Sequence, residues 1–166
     1  MSDTRLEVLL AKQEIEEVVL RYCRGIDRMD QALVRSCYHP DATDEHGSFS
    51  GGVEAYIAFA WKLLPRYDAT MHFVGNVLIE VEGDVARSEA YCIAHHRKQE
   101  GPPPSNLATG CRYVDRFERR DGEWRIAKRV VTTEWIRHDI PEVRFPIKEN
   151  LRTGRRDRSD PVYEPL

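Results

Sequence analysis

Two short breaks, Glu82-Gly83-Asp84 and Arg120-Asp121-Gly122, constrain this chain more than any other feature. Each separates long runs rich in Val, Ile, Thr and aromatic residues, and glycine beside aspartate suits the tight turns that join antiparallel strands. The pattern predicts strands over 70–81, 85–98, 107–119 and 123–135, with Gly101-Pro102-Pro103-Pro104 as a longer, stiff loop between the two hairpins.

Ahead of the strands the hydrophobic period changes. Leu6, Leu9, Leu10, Ile15, Val18, Val19, Tyr22, Cys23 and Ile26 recur at three-to-four spacing, which predicts a helix over 3–26. Asp30 is placed to cap a short second helix, Gln31–Cys37, stopped by His39-Pro40-Asp41. Ala42–Phe49 is a candidate strand, Gly51-Gly52 a turn, and Val53–Leu64 a third helix closed by Pro65. Helices followed by a run of antiparallel strands indicate the α+β class. A strongly bent, mainly antiparallel sheet wrapped around the long N-terminal helix makes a cone-shaped barrel, and its concave interior suits a small ligand. Residues 1–138 then form one domain, and 139–166 an extended tail that belongs to it or to an oligomer contact.

The net charge of −3 offers no basic excess for neutralising phosphates, so a nucleic-acid partner is not expected. The chain has no basic-then-apolar leader and no apolar run of membrane-spanning length, which predicts a soluble, cytoplasmic protein with no membrane partner. Four cysteines stand far apart without a CxxC pair and read as buried thiols. Asp41, Asp44, Glu45 and His46 cluster, but adjacent His95 and His96 cannot both face one metal from a strand, and HExxH spacing is absent; no metal is expected. Neither a GxSxG elbow nor a phosphate-cradling loop is present, and no cofactor is expected.

The chemistry concentrates in Thr70-Met71-His72-Phe73-Val74-Gly75-Asn76, one histidine in a mostly apolar strand. Asp27 leaves the first helix directly after its apolar face. If the fold joins them, the carboxylate orients the imidazole as a general base. Separately, His72 would be a strand histidine satisfied by backbone, and Asp27 a turn residue. Tyr22 lies five residues before Asp27, an offset of about 140° around the helix, so core packing competes with a pocket role for it.

The helix ending in Asp27, the His39-Pro40-Asp41-Ala42 break, the His72 strand and the Arg119-Arg120-Asp121-Gly122-Glu123-Trp124 hairpin together resemble the SnoaL-like branch of the nuclear transport factor 2-like superfamily, over roughly residues 8–136. The resemblance implies the cone-shaped barrel. It is nearest in motif to the lyase members, scytalone dehydratase, bile acid 7α-dehydratase and hexachlorocyclohexane dehydrochlorinase, and implies Asp27 and His72 as an acid–base dyad. It further implies Tyr22 as a pocket tyrosine and His95 as a second active-site histidine. His46 stands where scytalone dehydratase has a water-holding tyrosine, and Tyr113 where it has a pocket asparagine. Asn76 and Trp135 complete the expected substrate contacts. A homodimer or homotrimer is implied as well.

These observations predict a cofactor-independent, dehydratase-like lyase acting on a small hydrophobic cyclic or aromatic molecule. Isomerisation, cyclisation or retro-aldol cleavage would use the same parts. A non-catalytic ligand-binding module is the alternative, though it has no need for the aspartate and the histidine together.

Overall fold

The computed structural model describes residues 2–98, 105–140, 148 and 150–165, with the side chains of residues 2 and 3 left aside. The Gly101–Pro104 loop lies outside them. Helix α1 runs Ser2–Asp27, α2 Gln31–Ser36 and α3 Val53–Leu63; the strands are β1 Tyr38–His46, β2 Phe49–Gly52, β3 Ala69–Glu82, β4 Val85–Lys98, β5 Ser105–Arg120 and β6 Glu123–Asp139. The six strands form one sheet in the order β2-β1-β6-β5-β4-β3. The β3–β4 and β5–β6 hairpins turn where the two glycine breaks predict, and β4–β5 is also antiparallel. β1 joins β6 in parallel.

The architecture is α+β, a long helix against a curled, mainly antiparallel sheet. From Ala11 onward α1 buries Ile15, Val18, Val19, Tyr22, Cys23 and Ile26, while Leu6, Leu9 and Leu10 are exposed, so the buried stripe is shorter than the apolar spacing suggests. On β4 every buried inward position is small: Ala86, Ser88, Ala90, Cys92 and Ala94. Small side chains let the sheet curl over the helix and leave a hollow beyond its end. No helix among the described residues is long and apolar enough to cross a membrane.

Two boundaries differ from the sequence reading. His39-Pro40-Asp41 does not simply end α2 but lies within β1, and Gly51-Gly52 is the end of β2 rather than a turn, with Gly52 capping α3. The β1–β2 turn falls instead at Gly47, whose φ is +61°, left-handed backbone that glycine adopts without a Cβ clash.

Candidate active site

α1 stops where α2 crosses it. A Cβ at Gly25 would stand 2.6 Å from Cγ2 of Val34, so glycine permits this crossing. Asp30 caps α2 by accepting from the Leu33 N–H at 3.1 Å. Asp27 therefore leaves the helix facing β3 rather than solvent.

Its carboxylate meets one residue twice. Asp27 Oδ1 is 2.7 Å from His72 Nδ1, and Oδ2 accepts the His72 backbone N–H at 2.9 Å. A carboxylate can only accept here, so Nδ1 carries the proton and Nε2 is left for the cavity. Burial pushes the Asp27 carboxyl up, but hydrogen bonding and charge at His72 outweigh it and hold the group below its ordinary value. Asp27 is ionised at neutral pH.

His72 opens on a cavity of about 340 Å³. Its apolar wall includes Ile26, Phe59, Leu63, Leu107 and Ile136. Of the two adjacent histidines it is His96, not His95, that lines this space. The reason is strand parity: the even positions of β4 face inward, leaving His95 exposed on the outer face. The His96 ring packs edge-on to His72 at 5.5 Å and against Tyr67 at 4.8 Å. Burial, then the neighbouring His72, lowers the His96 pKa to about 4, so it enters the cavity neutral.

Tyr22, Tyr56 and Tyr113 form the floor. The Tyr22 and Tyr56 hydroxyls share a hydrogen bond. Beneath them Arg129, fully buried, stacks its guanidinium 4.1 Å from the Tyr22 ring and 4.3 Å from the Tyr113 ring. Asp115 holds Arg129 through two bonds of 2.8 and 2.7 Å. Burial above all pushes the Tyr22 and Tyr113 hydroxyls well up, so both remain proton donors. Tyr56, Arg129 and Asp115 are missing from the sequence reading. The cue for Arg129 was a cation on the parity of inward-facing Val131 in the run Ile126–Val131, though Lys128 beside it masks the signal.

His46 lines the cavity as well, stacked on Tyr56 at 5.1 Å. Asn76 and Trp135 do not. Simple alternation from His72 through Val74 carries Asn76 inward, but the β3–β4 register shifts between Val74 and Val77, and Asn76 is exposed. The β5–β6 register likewise shifts between Gly110 and Cys111, so Thr133 and Ile136 face the cavity while Trp135 lies outside over Gly110. Bulges re-aim side chains in this way.

A scan of known protein families matches the SnoaL-like domain over residues 7–130. The chain belongs to the SnoaL-like family. An uncharacterized protein of Mycobacterium tuberculosis is 27% identical over 122 residues, 72% of this chain and 82% of that one. A hexachlorocyclohexane dehydrochlorinase, LinA-type3 of Novosphingobium barchaimii, superposes with a TM-score of 0.75 at 20% identity, over 87% of this chain and 99% of that one. A scytalone dehydratase candidate of Novosphingobium aromaticivorans gives 0.70 at 21% identity, over 92% and 100% of the two chains. An NTF2-like protein of the same organism, with a cystatin-like fold, gives 0.64 at 23%, over 80% and 87%. At these identities the structural likenesses establish the fold.

The SnoaL-like match ends before the tail, yet the tail braces the site. Arg156 donates to the carbonyls of Leu64 (3.0 Å) and Tyr67, both cavity residues. Arg28, next to Asp27, binds Asp160 at 2.9 Å, and the Tyr163 hydroxyl donates to Asp30 at 2.9 Å. Residues 150–165 thus tie the end of α1 to the turn after α3.

Proposed function

We propose that this SnoaL-like protein is a cofactor-independent lyase that removes water from a small, largely apolar cyclic molecule. The observation that carries the reading is the Asp27–His72 pair with its free imidazole nitrogen facing an apolar cavity. His72 Nε2 takes a proton from a carbon beside a carbonyl. The C–H electron pair becomes the new double bond as the β C–O bond breaks, and the departing oxygen takes up a proton and leaves as water. Asp27 holds the ring and balances its charge. A tyrosine hydroxyl from the floor donates to the carbonyl oxygen, where negative charge builds up. The dehydratase and dehydrochlorinase members of similar fold support an elimination over other chemistries.

The test uses 3-hydroxycyclohexanone in D₂O, following cyclohexenone formation and deuterium uptake beside the carbonyl. His72→Ala lowers both by about 10²–10⁴-fold. Equal rates in wild type and His72→Ala, or binding of the ketone with neither reaction, would replace the lyase with a ligand-binding module.

A further inference from the structure

A second carboxylate–imidazole pair enters the same cavity from the other end of the sheet. Asp44 on β1 is fully buried. Its Oδ2 accepts the Tyr38 hydroxyl at 2.7 Å, and its Oδ1 stands 3.4 Å from His46 Nδ1. Both Oδ1 and Nδ1 are buried and neither makes a hydrogen bond, so the two groups meet at ion-pair distance only.

The charge balance also points to His46. Arg129, the buried cation of this region, is already held by Asp115 through two bonds. A buried carboxylate is costly without a counter-charge, and among the described residues the ionisable base within ion-pair distance of Asp44 is His46. An imidazolium at His46 supplies it. The remaining faces of the His46 ring meet Tyr56 of α3 at 5.1 Å and Tyr113 of β5 at 6.4 Å, aromatic surfaces that suit a cation. Nδ1 is the ring nitrogen near Asp44, and His46 lines the cavity that His72 also lines, which leaves Nε2 for a ligand there.

We propose that His46, charged by Asp44, is the proton donor of the cavity and delivers its Nε2 proton to the oxygen that leaves. The inference rests on the lyase reading and assigns its missing acid. In the balanced step one proton moves from carbon to His72 and one from His46 to the departing hydroxyl, which becomes water. His72 then releases its proton to solvent and His46 regains one, so no oxidant, reductant or metal enters.

The same ketone separates acid from base. Deuterium exchange breaks and remakes only the C–H bond and needs the base, whereas cyclohexenone formation also needs the acid. His46→Gln is expected to lower the ratio of enone formed to deuterium incorporated by about 10²-fold or more, within the range of general-acid assistance. Asp44→Asn shifts the ratio the same way. In imidazole ¹⁵N spectra at neutral pH, His46 carries protons on both nitrogens in the wild type and loses one in Asp44→Asn. An unchanged ratio in both variants, or a singly protonated His46 in the wild type, overturns the inference. Wild-type exchange without elimination overturns it while proton abstraction by His72 stands; neither reaction overturns both readings.

Discussion

The two ends of the cavity are built differently. At the α1 end one carboxylate serves one residue: Asp27 spends both oxygens on His72, and the two side chains remain 12% and 7% exposed. At the β1 end Asp44, Asp115 and Arg129 have no side-chain exposure, and four tyrosines pack around or near them. The first end is a local device, made wherever a helix terminus meets a strand. The second is part of the core, and its charges must balance for the protein to fold. Chemistry and stability should therefore separate at one end and fall together at the other.

Asp115→Asn is the strongest test of that contrast. It leaves Arg129 buried with half its partner gone, a class of change that costs about 3–5 kcal/mol. Urea unfolding should show this loss, and a clearly smaller one for Asp27→Asn, whose amide still has an oxygen for the His72 N–H. Equal losses would erase the distinction between a local device and a core network.

Acid should act first at the α1 end. His96 titrates at about 4 in the fold against 6.5 for the free side chain, because burial and then His72 oppose its charge. The unfolded chain therefore binds this proton first, and stability falls as pH drops from 6.5 towards 4. At about 1.4 kcal/mol per pH unit the single group accounts for at most about 3.5 kcal/mol. Asp27 adds to this at lower pH. Its folded value is depressed, so stability present above the ordinary carboxylate range is lost as pH falls through the folded value. His96→Gln should flatten the slope between pH 6.5 and 4, and an unaltered slope would show that the proton binds elsewhere.

The same contrast explains what could be read from the chain. Long strands, glycine turns and the stripe on α1 are carried by period and punctuation, and they locate β3, β4, β5 and β6 to within a few residues, whereas β1 and β2 read as the single run Ala42–Phe49. Asp27 and His72 were legible because each sits at a marked place, one after a helix and one in an apolar strand. His96 was within reach: the small residues Ala86, Ser88, Ala90, Cys92 and Ala94 set the inward parity, and His96 continues it. Asn76 and Trp135 were misplaced because bulges in β3 and β6 interrupt a period of two, and nothing in the local residues fixes where a bulge falls. The β1 wall was the least legible. Asp44, Arg129 and Asp115 come from three strands, and a charged residue in a strand ordinarily reads as a solvated one.

A smaller effect sharpens the account of how Asp27 is aimed. A Cβ at Gly25 would meet Val34 at Cγ2 (2.6 Å) and at the backbone N (3.0 Å), and the backbone atom cannot swing aside. Gly25→Ala should cost about 1–3 kcal/mol, as overpacking does. It should also shift the His72 imidazole resonances, because α2 can move only by carrying the end of α1 with it. Loss of stability with unmoved His72 signals would mean that β3, not the helix crossing, holds the dyad.

The smallest expected effect checks the bulge in β3. Asn76 is exposed beside the register shift, so Asn76→Ser should change stability by no more than about 0.5 kcal/mol. Its neighbour Val74 is partly buried against the core, and Val74→Ala removes two methyl carbons from that contact, a loss of about 1–2 kcal/mol. The order matters more than either value. With unbroken alternation Asn76 would face inward like Val74 and His72, and replacing its amide would disturb the cavity wall and the His72 signals. A stability change for Asn76→Ser as large as that for Val74→Ala, accompanied by shifted His72 resonances, would restore Asn76 to the cavity and remove the bulge that separates the inner run of β3 from its outer one.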